Sequence, residues 1–200
     1  MAGIEHSADG LNVDREPNVL DALAIECSAI FDQHEIDHVF VAGYVAILSG
    51  RARATDDIYL IIERTTPEVL SQVADAFESS GFWGPATPLT DIHAVLEEGG
   101  RIWIAREDTT TPHLDITFPS DRYHRASLTN SIPARIGDAT IPIGPLELQI
   151  AYKLNLGGRT DFEDAAHLFL LFEETLSTQK LEYWVEELGV THEYEQLTTA

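Results

Sequence analysis

The sequence predicts an α/β (α+β) protein in which helices flank a mixed sheet and a C-terminal helical part follows. Its 200 residues are 44% hydrophobic, which is enough to bury the core of one compact domain. Strand and helix patterns alternate as far as residue 144, and only helical patterns follow. We therefore expect residues 1–12 to be disordered, residues 13–144 to form an α/β domain, and residues 145–200 to form a helical extension that packs on it.

The first half of the chain alternates helical and strand patterns. Apolar residues recur at helical spacing after Pro17, a residue that suits the first turn of a helix. Gly43 separates a buried strand from a short helix, and Thr66 is the expected N-cap of a longer one. The predicted elements are a helix over 17–33, a strand over 38–42, a short helix over 44–49, a strand over 57–63 and a helix from Thr66 to Gly81.

The second half begins with a predicted hairpin and ends in helices. Strands over 101–105 and 113–118 are joined by a polar segment typical of a hairpin connection. Pro142 has no N–H to donate, so we expect the short strand over 139–143 to lie at a sheet edge. Residues 82–100 are expected to be irregular, with a turn of helix near 91–96. The predicted helices cover residues 122–128, 146–156, 161–173 and 178–188.

The charge of the chain is strongly negative. It holds 34 acidic and 12 basic residues, for a net charge of −22, and Lys153 and Lys180 are its two lysines. Dispersed acids with scarce lysine resemble the cytoplasmic proteins of salt-loving archaea, and an acidic bacterial protein is the alternative. Such a surface repels nucleic acid at ordinary salt, but molar salt screens the repulsion. The charge therefore does not exclude an RNA substrate.

Two classes of protein are disfavoured by what the sequence lacks. No apolar run approaches the ~18 to 20 residues of a membrane span, and the N-terminus has no apolar signal region. Cys27 is the single cysteine, so the chain cannot form an internal disulfide framework or a cysteine-based zinc site. Its apolar neighbours indicate a buried structural thiol. We expect a cytoplasmic protein with no membrane partner.

The segment from 41 to 62 carries the strongest functional pattern. Ala42-Gly43-Tyr44 follows a strand and opens a helix, where a glycine lets phosphate oxygens approach backbone N–H groups. A glycine at the start of a helix is also common for structural reasons alone, without any bound phosphate. Further on, Gly50 provides a turn, Arg53 a guanidinium that can grip phosphate, Thr55 a hydroxyl, and Asp57 an acid at the start of a strand.

Together these residues resemble the nucleotidyltransferase superfamily with the polymerase-beta-like fold, particularly the small prokaryotic branch of toxin–antitoxin and abortive-infection systems. The family pattern is Gly-Gly or Gly-Ser after a strand, then Gly-x-x-Arg-x-Thr-x-Asp-x-Asp, and a later single Asp on a neighbouring strand. Ala42 replaces the first glycine, and Tyr59 replaces the second Asp of the pair. The resemblance covers roughly residues 35–175. The matching positions are Gly43, Gly50, Arg53, Thr55, Asp57 and Asp115.

The resemblance implies a sheet of the nucleotidyltransferase type and transfer of NMP from an NTP to a protein or RNA hydroxyl. In that chemistry two metal ions stabilise the attacking and leaving oxygens, and Mg²⁺ prefers carboxylates, waters and phosphates. Asp57 and Asp115 would then be the catalytic and metal-binding acids. The residues implied to bind the nucleotide and its phosphates are Gly43, Tyr44, Arg53, Thr55, Lys153 and Arg159.

The C-terminal part extends the resemblance through a Lys-Leu stretch followed by an arginine and an acid. Lys153 and Arg159 match this stretch, which implies contact with substrate phosphate. An ion pair of Lys153 with Glu147 or Asp161 is the alternative. Asp161 precedes a helical pattern, so it is expected to cap that helix.

Tyr59 decides whether the metal site is complete. A neutral phenol with a pKa near 10 is a poor Mg²⁺ ligand at pH 7. Asp56 faces the opposite side of a regular strand, unless a bulge turns it. Tyr59 either fills the empty metal site beside Asp57 or Asp115, or leaves one-metal chemistry, or leaves nucleotide binding without turnover.

Two functions follow from these outcomes. One is an NTP-binding enzyme that transfers NMP in a toxin–antitoxin or defence context, with Mg²⁺ at a weakened site. The other is a catalytically inactive pseudo-nucleotidyltransferase that acts as a binding or regulatory partner. An unrelated α/β protein with an accidental motif match is a third reading. The acceptor, a partner protein and a homodimeric state are left open by the sequence.

Overall fold

The computed structural model describes residues 3–199, which fold around a nine-stranded mixed sheet. The strands lie in the order β1-β2-β8-β9-β3-β4-β7-β6-β5. The predicted fold class, a mixed sheet with flanking helices and a C-terminal helical part, is confirmed. The strands are β1 (Ile4–Ser7), β2 (Gly10–Val13), β3 (His38–Val41), β4 (Asp57–Ile62), β5 (Phe82–Trp83), β6 (Ile102–Arg106), β7 (His113–Thr117), β8 (Ile132–Ile136) and β9 (Ala139–Ile143).

The helices begin and end close to where the apolar spacing places them. Asn18, not Pro17, precedes the first helix, where its side chain accepts two backbone N–H groups in a capping box with Asp21. No helix within residues 3–199 is long and apolar enough to cross a membrane. The helices are α1 (Val19–Gln33), α2 (Gly43–Leu48), α3 (Pro67–Ser79), α4 (Ile92–Glu97), α5 (Arg122–Thr129), α6 (Leu146–Leu156), α7 (Arg159–Phe172), α8 (Thr178–Leu188) and α9 (Thr191–Thr199), with a 3₁₀ turn at Leu89–Asp91.

One face of the central sheet is apolar and covered by helices. Side chains on a strand alternate between faces, and one set along β4, β6 and β7 is fully buried. Phe31 of α1 and Phe77 of α3 pack edge to face against each other, with centroids 5.5 Å apart, over this side. The fully buried strand residues are Ile58, Leu60, Ile102, Ile104, Leu114 and Ile116.

The opposite face is covered only in part. Helices α5 and α6 lie over Val41 and Ile61, where a small cavity remains between Ser127 and Tyr152. From β4 to the β5 edge this face carries polar and aromatic side chains, of which Trp83 and Trp103 are exposed and His113 and Asp115 are buried. We call this region the open face and define it by Asp57, Tyr59, Trp83, Arg101, Trp103, His113 and Asp115.

The prediction that residues 1–12 are disordered is wrong for residues 4–12. They form the hairpin β1–β2, and β2 pairs in parallel with β8. The pairing places Leu11 and Val13 in the core, each only 1% exposed. A strand stabilised by a distant partner leaves little local signal, because its pattern is only four residues long. Residues 1 and 2 lie outside the described residues.

Strand β9 lies inside the sheet, not at its edge as Pro142 led us to expect. It runs between β8 and β3, with Pro142 opposite Pro133 of β8. On its other side β9 pairs with β3 only at Ile143, opposite Phe40. The missing N–H of Pro142 therefore falls where β3 offers no partner, so an internal strand tolerates this proline.

Candidate functional site

The strand register brings the two predicted catalytic acids together on the open face. Strands β4 and β7 are parallel, with Tyr59 opposite Asp115 and Asp57 opposite His113. Residues that are paired across strands point to the same face of the sheet. Asp57 and Asp115 therefore lie diagonally across two adjacent strands, as the motif implies, with Tyr59 beside both.

Thr55 orients the carboxylate of Asp57. Its hydroxyl lies 2.8 Å from Asp57 Oδ1 and donates a hydrogen bond to it. The hydroxyl predicted to bind a nucleotide is thus engaged by the neighbouring acid.

A guanidinium occupies the space next to Asp115. Arg101 Nη1 donates to Asp115 Oδ2 over 2.8 Å, and the guanidinium carbon lies 4.9 Å from the centre of the Tyr59 ring. The other oxygen, Asp115 Oδ1, is buried and has no hydrogen-bond partner among residues 3–199. Burial raises the pKa of Asp115, Arg101 opposes that shift, and the charge of Asp57 adds to it.

Tyr59 remains a neutral phenol at physiological pH. Burial raises its pKa, and the negative charges of Asp57 and Asp115 raise it further, while Arg101 opposes them. Its ring lies beneath the guanidinium in a cation–π contact. Tyr59 thus holds Arg101 in place and offers no anionic oxygen to a cation.

This donor set does not fit two magnesium ions. Within residues 3–199 no group of three His, Cys, Asp or Glu side chains is placed to hold a metal ion. Two carboxylates remain, and one of them already accepts a hydrogen bond from Arg101. The positive charge beside Asp115 is supplied by the chain itself.

Aromatic side chains extend the open face away from the acids. Trp103 of β6 stacks on His113 of β7, with ring centroids 4.5 Å apart and planes 30° from parallel. Trp103 is 42% exposed and Trp83, on the edge strand β5, is 38% exposed. The indole N–H of Trp83 donates to the carbonyl of Thr109 over 2.8 Å, which holds that ring in place.

The sequence prediction missed Arg101 and Trp103 as members of the site. Both belong to the strand that was predicted over 101–105, although β6 begins one residue after Arg101. The motif contains neither residue, and Asp115 joins them: Trp103 is its partner in the β6–β7 register, and Arg101 donates a hydrogen bond to it.

The glycine of the predicted phosphate loop is packed under an arginine. A Cβ atom on Gly43 would lie 2.2 Å from Arg53 Nη2. Arg53 in turn donates from Nε and Nη2 to the two carboxylate oxygens of Asp164, over 3.1 and 3.0 Å. The absence of a side chain at Gly43 thus makes room for the Arg53–Asp164 ion pair. The Nε and Nη2 groups of Arg53 point to Asp164 in helix α7.

Ala42, which replaces the first glycine of the motif, has an unusual backbone. Its φ of 62° and ψ of −131° fall in a region that residues with a Cβ rarely adopt. Its N–H donates to Gln149 Oε1 over 2.7 Å, which helps to hold this conformation. The backbone conformation of Ala42 is therefore determined by a contact with a distant residue, Gln149, and not by the local preference of alanine.

The other predicted phosphate ligands are turned toward protein partners. Lys153 is nearly buried, and its Nζ lies 2.7 Å from Asp161 Oδ1 and 3.1 Å from Asp164 Oδ2. This arrangement includes the alternative ion pair with Asp161. Helix α7 begins after Gly158, so Asp161 binds this lysine from the first turn and is not the cap residue.

Tyr44 and Arg159 lie apart from the open face. Tyr44 is 1% exposed, and its hydroxyl donates to Asp21 over 3.0 Å. The side chain of Arg159 is 93% exposed and pairs with Glu163 one turn along α7. The structure thus brings Asp57, Asp115 and Thr55 together, whereas the roles of the remaining residues stay predictions.

This sheet, with two acids on adjacent strands and helices behind, is similar to that of a nucleotidyltransferase-like protein of known structure. The crystal structure of an antigenic nucleotidyltransferase-like protein from Paracoccidioides brasiliensis is similar, with a TM-score of 0.57 and 15% sequence identity. The match covers 89% of each chain. At this identity the similarity shows the fold alone. No protein-family model and no curated protein matches the sequence.

Proposed function

We propose that this protein binds a nucleotide on its open face without two-metal nucleotidyl transfer, and acts as a binding or regulatory partner. The observation that carries the proposal is the contact of Arg101 with Asp115 and Tyr59. It supplies a fixed positive charge where the fold would otherwise need metal ions. The nucleotidyltransferase-like fold supports the choice of a nucleotide as ligand.

Arg101 has the capacity to bind phosphate. A guanidinium carries five N–H donors in a planar fork, and Asp115 accepts from one of its nitrogens. The side chain of Arg101 is 47% exposed, so part of it reaches solvent. A charge-assisted contact of this kind needs no metal ion.

Calorimetric titration with NTPs tests this proposal, in molar KCl to screen the acidic surface. We expect binding of similar affinity with Mg²⁺ and with a chelator, and at least about tenfold weaker binding by Arg101→Gln, since each 1.4 kcal/mol is tenfold. Arg64→Gln is the matched control, because Arg64 is equally exposed and pairs with Glu97. Strict dependence on Mg²⁺, or no effect of Arg101→Gln, would refute the proposal.

One observation favours the second candidate, transfer of NMP to a protein or RNA hydroxyl. Asp115 Oδ1 is buried next to the strand that carries Asp57, and it has no hydrogen-bond partner within the described part of the chain. Incubation with α-labelled NTPs and Mg²⁺ or Mn²⁺ should then label protein or RNA, and Asp57→Ala should abolish the labelling. If neither the wild type nor Asp57→Ala labels protein or RNA with any of the four NTPs, NMP transfer is excluded. A toxin–antitoxin or defence context rests on the motif resemblance.

A further inference from the structure

The two tryptophans of the open face are exposed although each is held in a defined orientation. Trp103 stacks with one ring face on His113 and is 42% exposed, so His113 leaves its other ring face uncovered. Trp83 is fixed through its hydrogen bond to Thr109. Exposed aromatic rings beside a cluster of charged side chains are candidates for a binding surface, because a ring face offers a large flat contact area. We call Trp83 and Trp103 the tryptophan surface.

The tryptophan surface and the guanidinium of Arg101 meet at Asp115. Trp103 is paired with Asp115 in the β6–β7 register, and Asp115 Oδ2 accepts a hydrogen bond from Arg101 Nη1. Side chains paired across strands share a face and lie roughly 5 Å apart at Cβ, so one nucleotide is long enough to reach from the indole to the guanidinium. A cation and a flat ring in this arrangement match the two chemically different ends of the same ligand.

We propose that the outer ring face of Trp103 stacks with the base of a nucleotide whose phosphate contacts Arg101. This inference rests on the proposed nucleotide-binding function and identifies how the base is held. Stacking on an indole tolerates any base, because every base presents a flat π-face. Trp83 extends the apolar border of the same surface on the next strand.

Because the chain is strongly acidic, base stacking on Trp103 should contribute much of the affinity for a nucleotide. Proteins that bind nucleic acids through many Lys and Arg contacts lose affinity as salt rises. This chain has a net charge of −22, and Asp115 already pairs with Arg101. Base stacking involves no net charge, so its contribution persists in molar KCl.

Tryptophan fluorescence tests the inference directly, because the chain contains three tryptophans. In the Trp184→Phe variant the remaining two are Trp83 and Trp103. We expect ATP and adenosine to quench this variant in molar KCl, and inorganic tripolyphosphate to leave its emission unchanged. By calorimetry Trp103→Ser should bind ATP about tenfold more weakly, whereas Trp103→Phe should retain most of the affinity.

The outcomes separate this inference from the proposed function. If tripolyphosphate binds as tightly as ATP, or if Trp103→Ser binds ATP like the wild type, the base does not stack on Trp103. Nucleotide binding through Arg101 would survive either result. If the wild type binds no NTP, both proposals fail. Quenching of Trp184→Phe provides a result that does not depend on the folding of Trp103→Ser.

Discussion

Arg101 Nη1 lies 2.8 Å from Asp115 Oδ2, and the same guanidinium covers the ring of Tyr59. Tyr59, which stands at the second Asp position of the motif, therefore contacts the cation that pairs with Asp115. Under the proposed function, this internal positive charge serves where the motif would imply metal ions.

Restoring the acid and removing the guanidinium should create a metal site. In Tyr59→Asp/Arg101→Gln three carboxylates would share the open face, and we expect calorimetric binding of Mn²⁺ that the wild type lacks. Tyr59→Phe/Arg101→Gln is the control, since it removes the same phenol without adding an acid. Wild-type binding of Mn²⁺ as tight as that of the acidic variant would contradict the prediction.

Asp115→Asn should be at least as stable as the wild type. The pKa of Asp115 is raised in the folded protein, chiefly by burial, so the fold favours the protonated carboxyl. The stabilising contribution of Asp115 is fully present below the pKa that this carboxyl has in the unfolded chain. It is lost as the pH rises through the higher pKa that the carboxyl has in the folded protein. The Tm of the variant relative to wild type should therefore increase between pH 4 and pH 7, and a steady decrease would be inconsistent with this cause.

His38 should make the protein less stable in mild acid. Its Nε2 lies 2.7 Å from Ser28 Oγ, and burial lowers its pKa despite the nearby acids Asp32 and Asp37. The unfolded chain binds a proton near pH 6.5, so the stabilising contribution is complete above that pH and is lost as pH falls through the folded pKa. Urea unfolding from pH 7 to pH 5 should show a smaller loss for His38→Gln than for wild type. If both proteins lose the same unfolding free energy between pH 7 and pH 5, titratable groups other than His38 cause the loss of stability.

Asp164 should be far more important for stability than Asp161, although both contact Lys153. The Asp164 side chain is fully buried and binds both Arg53 and Lys153. Asp164→Ala therefore removes the ion-pair partner of Arg53 and one of the two partners of Lys153, and should cost about 3 kcal/mol. Asp161 is 26% exposed, and Asp161→Ala should cost below about 1 kcal/mol. Urea unfolding of the two variants gives the comparison, and equal losses would disprove this ranking.

Ala42→Gly should stabilise the protein. The backbone of Ala42 at φ 62° is strained, and glycine adopts such angles without the steric cost, so we expect a gain of about 1 kcal/mol in unfolding free energy. Ala46→Gly, inside the neighbouring helix α2, is the matched control and should lose about 1 kcal/mol. A loss in both variants would show that glycine entropy outweighs the strain.

The sequence alone predicted the fold class and the placement of Asp57 and Asp115 on neighbouring strands. Alternation along β4 and β7 follows from local apolar spacing, and the motif resemblance implied that these strands are neighbours. Strand bounds were predicted well where a strand is buried on at least one face. The hairpin over residues 4–13 and strand β8 were missed, because short strands draw their stability from distant partners.

Only the tertiary structure decided what each charged side chain of the motif contacts. Arg53 and Lys153 turn to Asp164, more than 100 and about 10 residues away along the chain, and Arg101 reaches Asp115 through the register of a hairpin. Such partners cannot be read from a local pattern, because long flexible side chains choose among acids brought near by folding. The motif thus specified where the acids of the site lie, and the packing of β6 and α7 decided which cations lie beside them.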